Sequence, residues 1–173
     1  MINSDLFRTG TKEIEDVEVP DVIAELTDTQ FQLRGYPESD VEKLILIIMS
    51  REVERRTYRD GDGKIRVSFQ KLSRMQDERG TSSVYQKLTR TDADVHLYGI
   101  PDKLPGREYT DAVCHTGYTQ EFRDSWFVVH TPEDDGRYGA LMAVETDPRN
   151  WEGFWTFQPE KVREINRMIE KKM

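Results

Sequence analysis

The side chains in this sequence with chemistry to offer are three histidines, one cysteine and a late run of tryptophans. His96, His115 and His130 fall on three different predicted strands. Strands can converge, which keeps a histidine-based metal site open, but structural or surface imidazoles are the simpler reading. Cys114 is the single cysteine, so neither an intramolecular disulfide nor a cysteine-based zinc site can form. Successive strand residues face opposite ways, which makes Cys114 and His115 a poor nucleophile–base pair. Cys114 therefore reads as a buried thiol. No Gly-x-x-x-x-Gly-Lys-[Ser/Thr] loop and no Gly-x-Gly-x-x-Gly after a strand is present. The stretch "DGDGK" superficially resembles a calcium loop but lacks the longer pattern and its terminal glutamate, and reads as a turn. Catalysis needs a nucleophile, a base and oxyanion donors brought together. No local signature of such a set occurs, so the chain reads as a non-enzyme, with no cofactor implied.

What remains is aromatic. Residues 151–157, "WEGFWTF", hold two tryptophans and two phenylalanines just before Pro159. On a strand, Trp126, Val128 and His130 share one face, while Phe127 and Val129 take the other. Burying such rings in a core stabilises each by about 1.5–3 kcal/mol, which alone accounts for their presence. Rings with a few polar groups also line small-molecule pockets, and tryptophan and tyrosine are favoured at protein interfaces. If a pocket is built here, its candidate lining is Arg66, Gln70, Tyr98, Trp126 and Trp155.

Several elements must position these residues. Residues 1–38 read as an acidic amino-terminal arm holding a short helix (20–28) and a short strand (31–36). Residues 39–173 read as one domain. "SDVEKLILIIMSREVERRTYR" (39–59) opens with a Ser-x-x-Glu capping box and carries Val41, Leu44, Ile45, Ile48, Met49 and Val53 at helical spacing. Its charged second half is expected to project past the core. "KIRVSFQ" (64–70) alternates as a strand. "SSVYQKLTR" (82–90) reads as a helix capped by Ser82 or Ser83, and "DVHLYGIP" (94–101) as a strand. Strand, helix, strand predicts a right-handed βαβ crossover with the two strands parallel.

Four short strands follow, at 110–116, 124–130, 138–145 and 153–157. A hairpin loop joins the second to the third. The last helix starts at Pro159, buries Val162, Ile165, Met168 and Ile169, and ends in two lysines that suit its carboxyl end. The pattern predicts an α+β domain: a mixed β-sheet with a βαβ crossover followed by antiparallel strands, its helices packed mainly on one face. The other face would then present Arg66, Ser68, Gln70, His96 and Tyr98 together, a register-dependent inference.

Composition sets the outer bounds. A length of 173 residues fits one domain with a single core. Formal charge is −8, which argues against direct nucleic-acid binding. The charge is unevenly spread. Nine basic and six acidic side chains in residues 51–79 form the sole basic stretch, against four and eleven in residues 1–50. No run of about 20 apolar residues marks a membrane span, and the start lacks the basic and apolar regions of a signal peptide. A reducing, cytoplasmic setting without membrane insertion fits.

Three stretches together resemble the DICT sensory domain, named for its occurrence with diguanylate cyclases and two-component systems. They are "MSREVERRTYRDGDGKIRVSFQKLSRM" (49–75), "VYQKLTRTDADVHLYGIPD" (84–102) and "DSWFVVHTPEDDGRYGALMAVETDPRNWEGFWTFQPEKVREI" (124–165). The most specific part is the closing Gly-Phe-Trp-[Thr/Ser]-[Tyr/Phe]-x-Pro element, carried here by Gly153, Phe154, Trp155, Thr156, Phe157 and Pro159. The resemblance spans roughly 49–169. It implies an α+β input domain in cytoplasmic signalling, associated with light responses and cyclic dinucleotides, and it carries over no catalytic or ligand-binding residue. The first 40 residues find no counterpart, and the chain leaves no room for an attached output module.

The expected function is therefore a non-catalytic signal-input domain. It would bind a small ligand or a protein partner and transmit a conformational change to another signalling or structural protein. Two alternatives stand beside it. One is a structural or adaptor protein acting by partner docking or as a homo-oligomer. The other is a transcription-linked regulator using Arg55, Arg56, Arg59 and Arg66, or an enzyme whose site is assembled from distant loops.

Overall fold

Residues 64–71 alternate apolar and polar side chains, and residues 125–131 are almost wholly β-branched or aromatic, a composition that fits pleated, packed surfaces. Both are strands in the computed structural model, which describes residues 28–34, 40–77, 80–106, 109 and 111–173. The described elements run β1 (Asp28–Arg34), α1 (Asp40–Asp60), β2 (Lys64–Lys71), α2 (Arg74–Asp77), α3 (Thr81–Leu88), β3 (Asp94–Ile100), β4 (Ala112–Thr116), α4 (Gln120–Asp124), β5 (Ser125–Thr131), β6 (Gly139–Asp147), β7 (Asn150–Thr156) and α5 (Pro159–Lys172). The expected helix at 20–28, the capping box at 39–42 and the side chains of Val41, Leu44 and Ile45 lie outside the described residues or side chains.

All seven strands form one mixed sheet in the order β1-β7-β6-β5-β2-β3-β4. β2 and β3 are parallel neighbours with α3 between them in sequence, which is the expected crossover, and β4 extends the parallel run. β5 pairs antiparallel with β2, and β6, β7 and β1 continue antiparallel. The domain is thus α+β. The strand read at 31–36 is β1, which pairs along β7 and takes part of the supposed arm into the sheet. The "DGDG" turn is real: Gly61 and Gly63 have φ of 74° and 77°. A Cβ on Gly63 would lie 2.4 Å from the Thr131 carbonyl oxygen.

One face of the sheet carries Ile65, Val67, Val95, Leu97 and Val128, which pack with Val53 of α1, Met75 of α2, and Val84, Tyr85 and Leu88 of α3. Further along this face Leu141, Ala143, Trp151 and Trp155 meet Leu46 and Met49 of α1. The larger share of helix lies here. The opposite face, however, is not the open polar surface expected. Val162, Ile165 and Ile169 of α5 and Phe122 of α4 cover Tyr98, Phe127, Val129 and Ala140. Arg66, Ser68, Gln70 and Tyr98 are consequently buried.

Four other expectations are corrected. The charged half of α1 does not project past the core: Arg51, Glu52 and Glu54 are buried, because oppositely charged neighbours one turn apart neutralise one another. Cys114 is exposed, because β4 is the edge strand of the sheet. Helix α3 has Gly80 at its start, with φ 87° and no side-chain cap, in place of Ser82 or Ser83. Met168 is 39% exposed, since the apolar stripe of α5 narrows to Val162, Ile165 and Ile169.

The glycine of the closing motif has a steric cause. Gly153 opposes Phe31 in register. A Cβ there would lie 2.4 Å from the Phe31 ring and 2.5 Å from the Met142 carbonyl oxygen. Forcing atoms into a packed site typically costs about 1–3 kcal/mol. Gly153→Ala is expected to lower unfolding stability by that amount in urea titration, and a variant as stable as the parent would contradict this packing.

Candidate functional site

The most elaborate polar constellation lies under α1, on the face that α3 also covers. Helical spacing places Ser50, Arg51 and Glu54 toward the sheet. Arg51 donates to Glu54 Oε2 at 2.5 Å and to Thr81 Oγ1 at 2.9 Å. The Tyr85 hydroxyl donates to Glu54 Oε1 at 2.5 Å, so both carboxylate oxygens are satisfied and the buried charges cancel. Such pairing is what permits ions in a core. Tyr85 also packs edge-on against Phe69, with ring centroids 5.4 Å apart.

These groups surround a cavity of about 50 Å³, walled further by Trp126, Trp151 and Val128, with Gln70, Arg74 and Ile47 also lining it. Ser50 lines this space, and its Oγ is buried and finds no hydrogen-bond partner among the described residues. Buried hydroxyls are normally paired, so an orphan on a cavity-lining residue calls for an occupant. At the edge of the cavity β2 is irregular. Its register shifts between Ser68 and Lys71, and Gln70 adopts φ 62°, an uncommon conformation for a residue other than glycine. Its amide donates to the Arg123 carbonyl at 2.6 Å and accepts from Arg74.

A second cluster lies on the opposite face. Arg66 donates to Asn166 Oδ1 at 2.7 Å, to the Tyr98 hydroxyl and to Glu170, pinning α5 to the sheet. Burial pushes the Tyr98 hydroxyl pKa up. Burial acts the same way on Glu170, but Arg66 outweighs it and holds that carboxyl below its ordinary range. Nearby, His96 Nδ1 and His115 Nε2 are 2.8 Å apart, and His115 stacks on Tyr98 at 4.3 Å. Burial first, and then Arg66, bring the His96 pKa down to about 4, and the same causes lower that of His115. His130 lies on the other face, bonded to Asp60. Among the described residues no group of three or more His, Cys, Asp or Glu is placed to hold a metal ion.

The five candidate lining residues are divided by the sheet. Gln70 and Trp126 border the cavity under α1. Trp155 shares that face but stacks on Phe31 at 5.8 Å. Arg66 and Tyr98 meet each other beneath α5. Sequence reasoning missed Ser50, Arg51, Glu54, Arg74, Thr81 and Tyr85. The one available signal was the opposite-charge spacing within "SREVERR". Arg55 and Arg56, weighed for nucleic-acid contact, are both held by Glu52, and the Arg56 guanidinium lies 3.8 Å over the Phe157 ring.

Two outcomes follow from this electrostatics. Glu54→Leu strands the Arg51 charge in the core and is expected to cost about 3–5 kcal/mol. The double replacement Arg51→Met with Glu54→Leu should recover most of that loss, and a double-mutant cycle in urea measures it. The histidines set a pH dependence. An unfolded chain takes up a proton at His96 near pH 6.5, about its ordinary value, whereas the folded chain refuses it until about pH 4. Stability therefore falls as pH drops from 7 to 4. His96→Gln should flatten that slope in denaturant titrations across the window; an unchanged slope would place the sensitivity elsewhere.

Among the described residues no helix is long and apolar enough to cross a membrane. No curated protein and no solved structure matches the chain. Residues 21–145 match one family, described as a sensory domain in diguanylate cyclases and two-component systems. The match takes in β1 and most of β6, and stops before the Gly153–Pro159 element. Since it covers well over half of the 173 residues, the chain belongs to the DICT family of sensory domains.

Proposed function

We propose that this chain is a non-catalytic signal-input domain that takes a small ligand into the cavity under α1 and reports its presence to a partner protein. The observation that carries the reading is Ser50, a residue lining a space walled by aromatic rings, whose buried hydroxyl has no hydrogen-bond partner among the described residues. Family membership supports the sensory role. An occupant shifts a protein only by favouring one conformation over another. Helix α1 is the natural responder, because it supplies one wall of the cavity and its last residue, Asp60, bonds Arg137 in the β5–β6 loop. The partner is another cytoplasmic signalling or structural protein, and the setting is a reducing one.

Trp126 and Trp151 line the cavity, so intrinsic fluorescence reports on it. Titration with a broad set of nucleotides, cyclic dinucleotides, pigments and small metabolites should reveal at least one compound that alters the emission of the parent chain. Ser50→Val, which removes the hydroxyl and narrows the space, should abolish the response. Flat titrations throughout would reject a small-molecule sensor.

A specific feature favours a docking role for the opposite face as a second reading. An apolar groove of about 300 Å³ runs beside α5, lined by Phe127, Met142, Val144, Met168, Ile169 and Met173. Methionine-rich surfaces adapt to partners of varied shape. Co-purification of a protein lost on Met168→Lys would favour the adaptor function over sensing.

A further inference from the structure

The chemistry of the cavity narrows what it accepts, granted the sensing role proposed above. The enclosed charges cancel, because Glu54 receives Arg51 and the Tyr85 hydroxyl on its two oxygens. Arg74 is different. It lines the same cavity with its side chain exposed at the edge, and its partner among the described residues is the neutral amide of Gln70. Among the described lining residues, Arg74 is thus a positive charge whose partner is a neutral group. Ser50 lines the cavity as well, and its buried Oγ offers a donor and an acceptor that no described residue takes up. The rings of Phe69, Tyr85, Trp126 and Trp151 line the same space. Aromatic walls favour a planar guest whose faces and edges they can stack against, and a guanidinium favours a carboxylate or phosphate over a neutral polar group.

Size decides the rest. The enclosed space is about 50 Å³, whereas an apolar cavity that holds benzene measures about 150 Å³. A single ring can enter only by turning aside a side chain at the edge. A guest with two nucleobases is excluded. Arg74 is the side chain best suited to move, since it is exposed and a bound anion would draw it away from Gln70. That step has a consequence for the fold, because the same Gln70 amide holds the Arg123 carbonyl at the end of α4.

We infer that the cavity between α1 and the sheet is a binding site for a small, single-ring aromatic anion, with the ring among Phe69, Tyr85, Trp126 and Trp151 and the anionic group on Arg74. Ser50 hydrogen-bonds the polar edge of the ring. Recognition of this kind weakens with added salt, since the pair that confers it sits at the exposed end of the site.

The test uses the full chain and matched probes: benzoate and 4-hydroxybenzoate, each beside its neutral carboxamide, with acetate as the anion lacking a ring. Binding is read by tryptophan emission and by titration calorimetry. At least one carboxylate is expected to bind five-fold or more tighter than its amide, and acetate not at all. Arg74→Gln, a change at an exposed side chain, should erase that five-fold preference, so that carboxylate and amide bind alike. Ser50→Ala should weaken carboxylate and amide alike. Equal binding of carboxylate and amide, or a preference that survives Arg74→Gln, overturns the anionic assignment while leaving a sensing cavity in place. A set of ring carboxylates that all fail, when the broad screen finds another compound sensitive to Ser50→Val, overturns this inference alone. Failure of every compound in both experiments overturns it together with the sensing role.

Discussion

The antiparallel pairing of β2 with β5, from Lys64↔Thr131 to Ser68↔Phe127, joins the two differently connected halves of the single sheet. On one side stands the parallel set β2-β3-β4, built through a helical crossover. On the other stands the antiparallel run β5-β6-β7-β1, built through hairpins and a closing edge strand. Because side chains alternate strictly along a strand, the Val67↔Val128 register fixes which residues of both halves share a face. Val67 and Val128 meet α1 and α3. Arg66 and Val129 point the other way, toward α5. A slip by one residue would put the Arg66 guanidinium under α3 and Trp126 under α5, dismantling both clusters at once.

That register also explains how an acidic, highly charged chain builds a two-sided core. Its apolar residues are too few to cover both faces unaided, so charged side chains enter the interior in matched sets. Arg51 with the buried Glu54 serves one face; on the other, the buried Arg66 reaches out to Glu170, whose side chain is 42% exposed. Each set is completed by a tyrosine hydroxyl, Tyr85 in the first case and Tyr98 in the second. The buried Arg51–Glu54 pair adds little net stability, because desolvation offsets attraction. What the two sets supply here is directional bonding that seats α1 and α5 at one angle against the sheet.

The parts of this arrangement that depend on local periodicity could be read from the sequence. The crossover through residues 64–100, the hairpin between residues 131 and 139, and the helix beginning at Pro159 each announce themselves by alternation, turn residues or helical spacing. The interior charges could not. A run such as "SREVERR" looks like a solvated helix face in one dimension, and only the arrival of Thr81 and Tyr85 from a separate helix turns it inward. The covering of the second face was hidden for a related reason. The stripe Val162, Ile165, Ile169 says that α5 packs on something, but not on which side of the sheet. Helices α2 and α4 are too short to show a period. The left-handed Gln70 leaves no mark at all, since it arises from a register shift against β3. Of the cavity, Gln70 and Trp126 were visible as candidates; the serine, the arginines, the carboxylate and the other rings were not.

Gln70 stands at the end of the central strand with one arm on each side of it. Through its carbonyl it holds a residue of the α1 face, and through its nitrogen it holds the backbone next to α4 on the reverse. A primary amide is rigid and planar, so its two ends cannot reorient independently. Rotating one end to follow a departing guanidinium must swing the other away from its carbonyl. This side chain thus ties the position of Arg74 on one helical layer to that of α4 on the other.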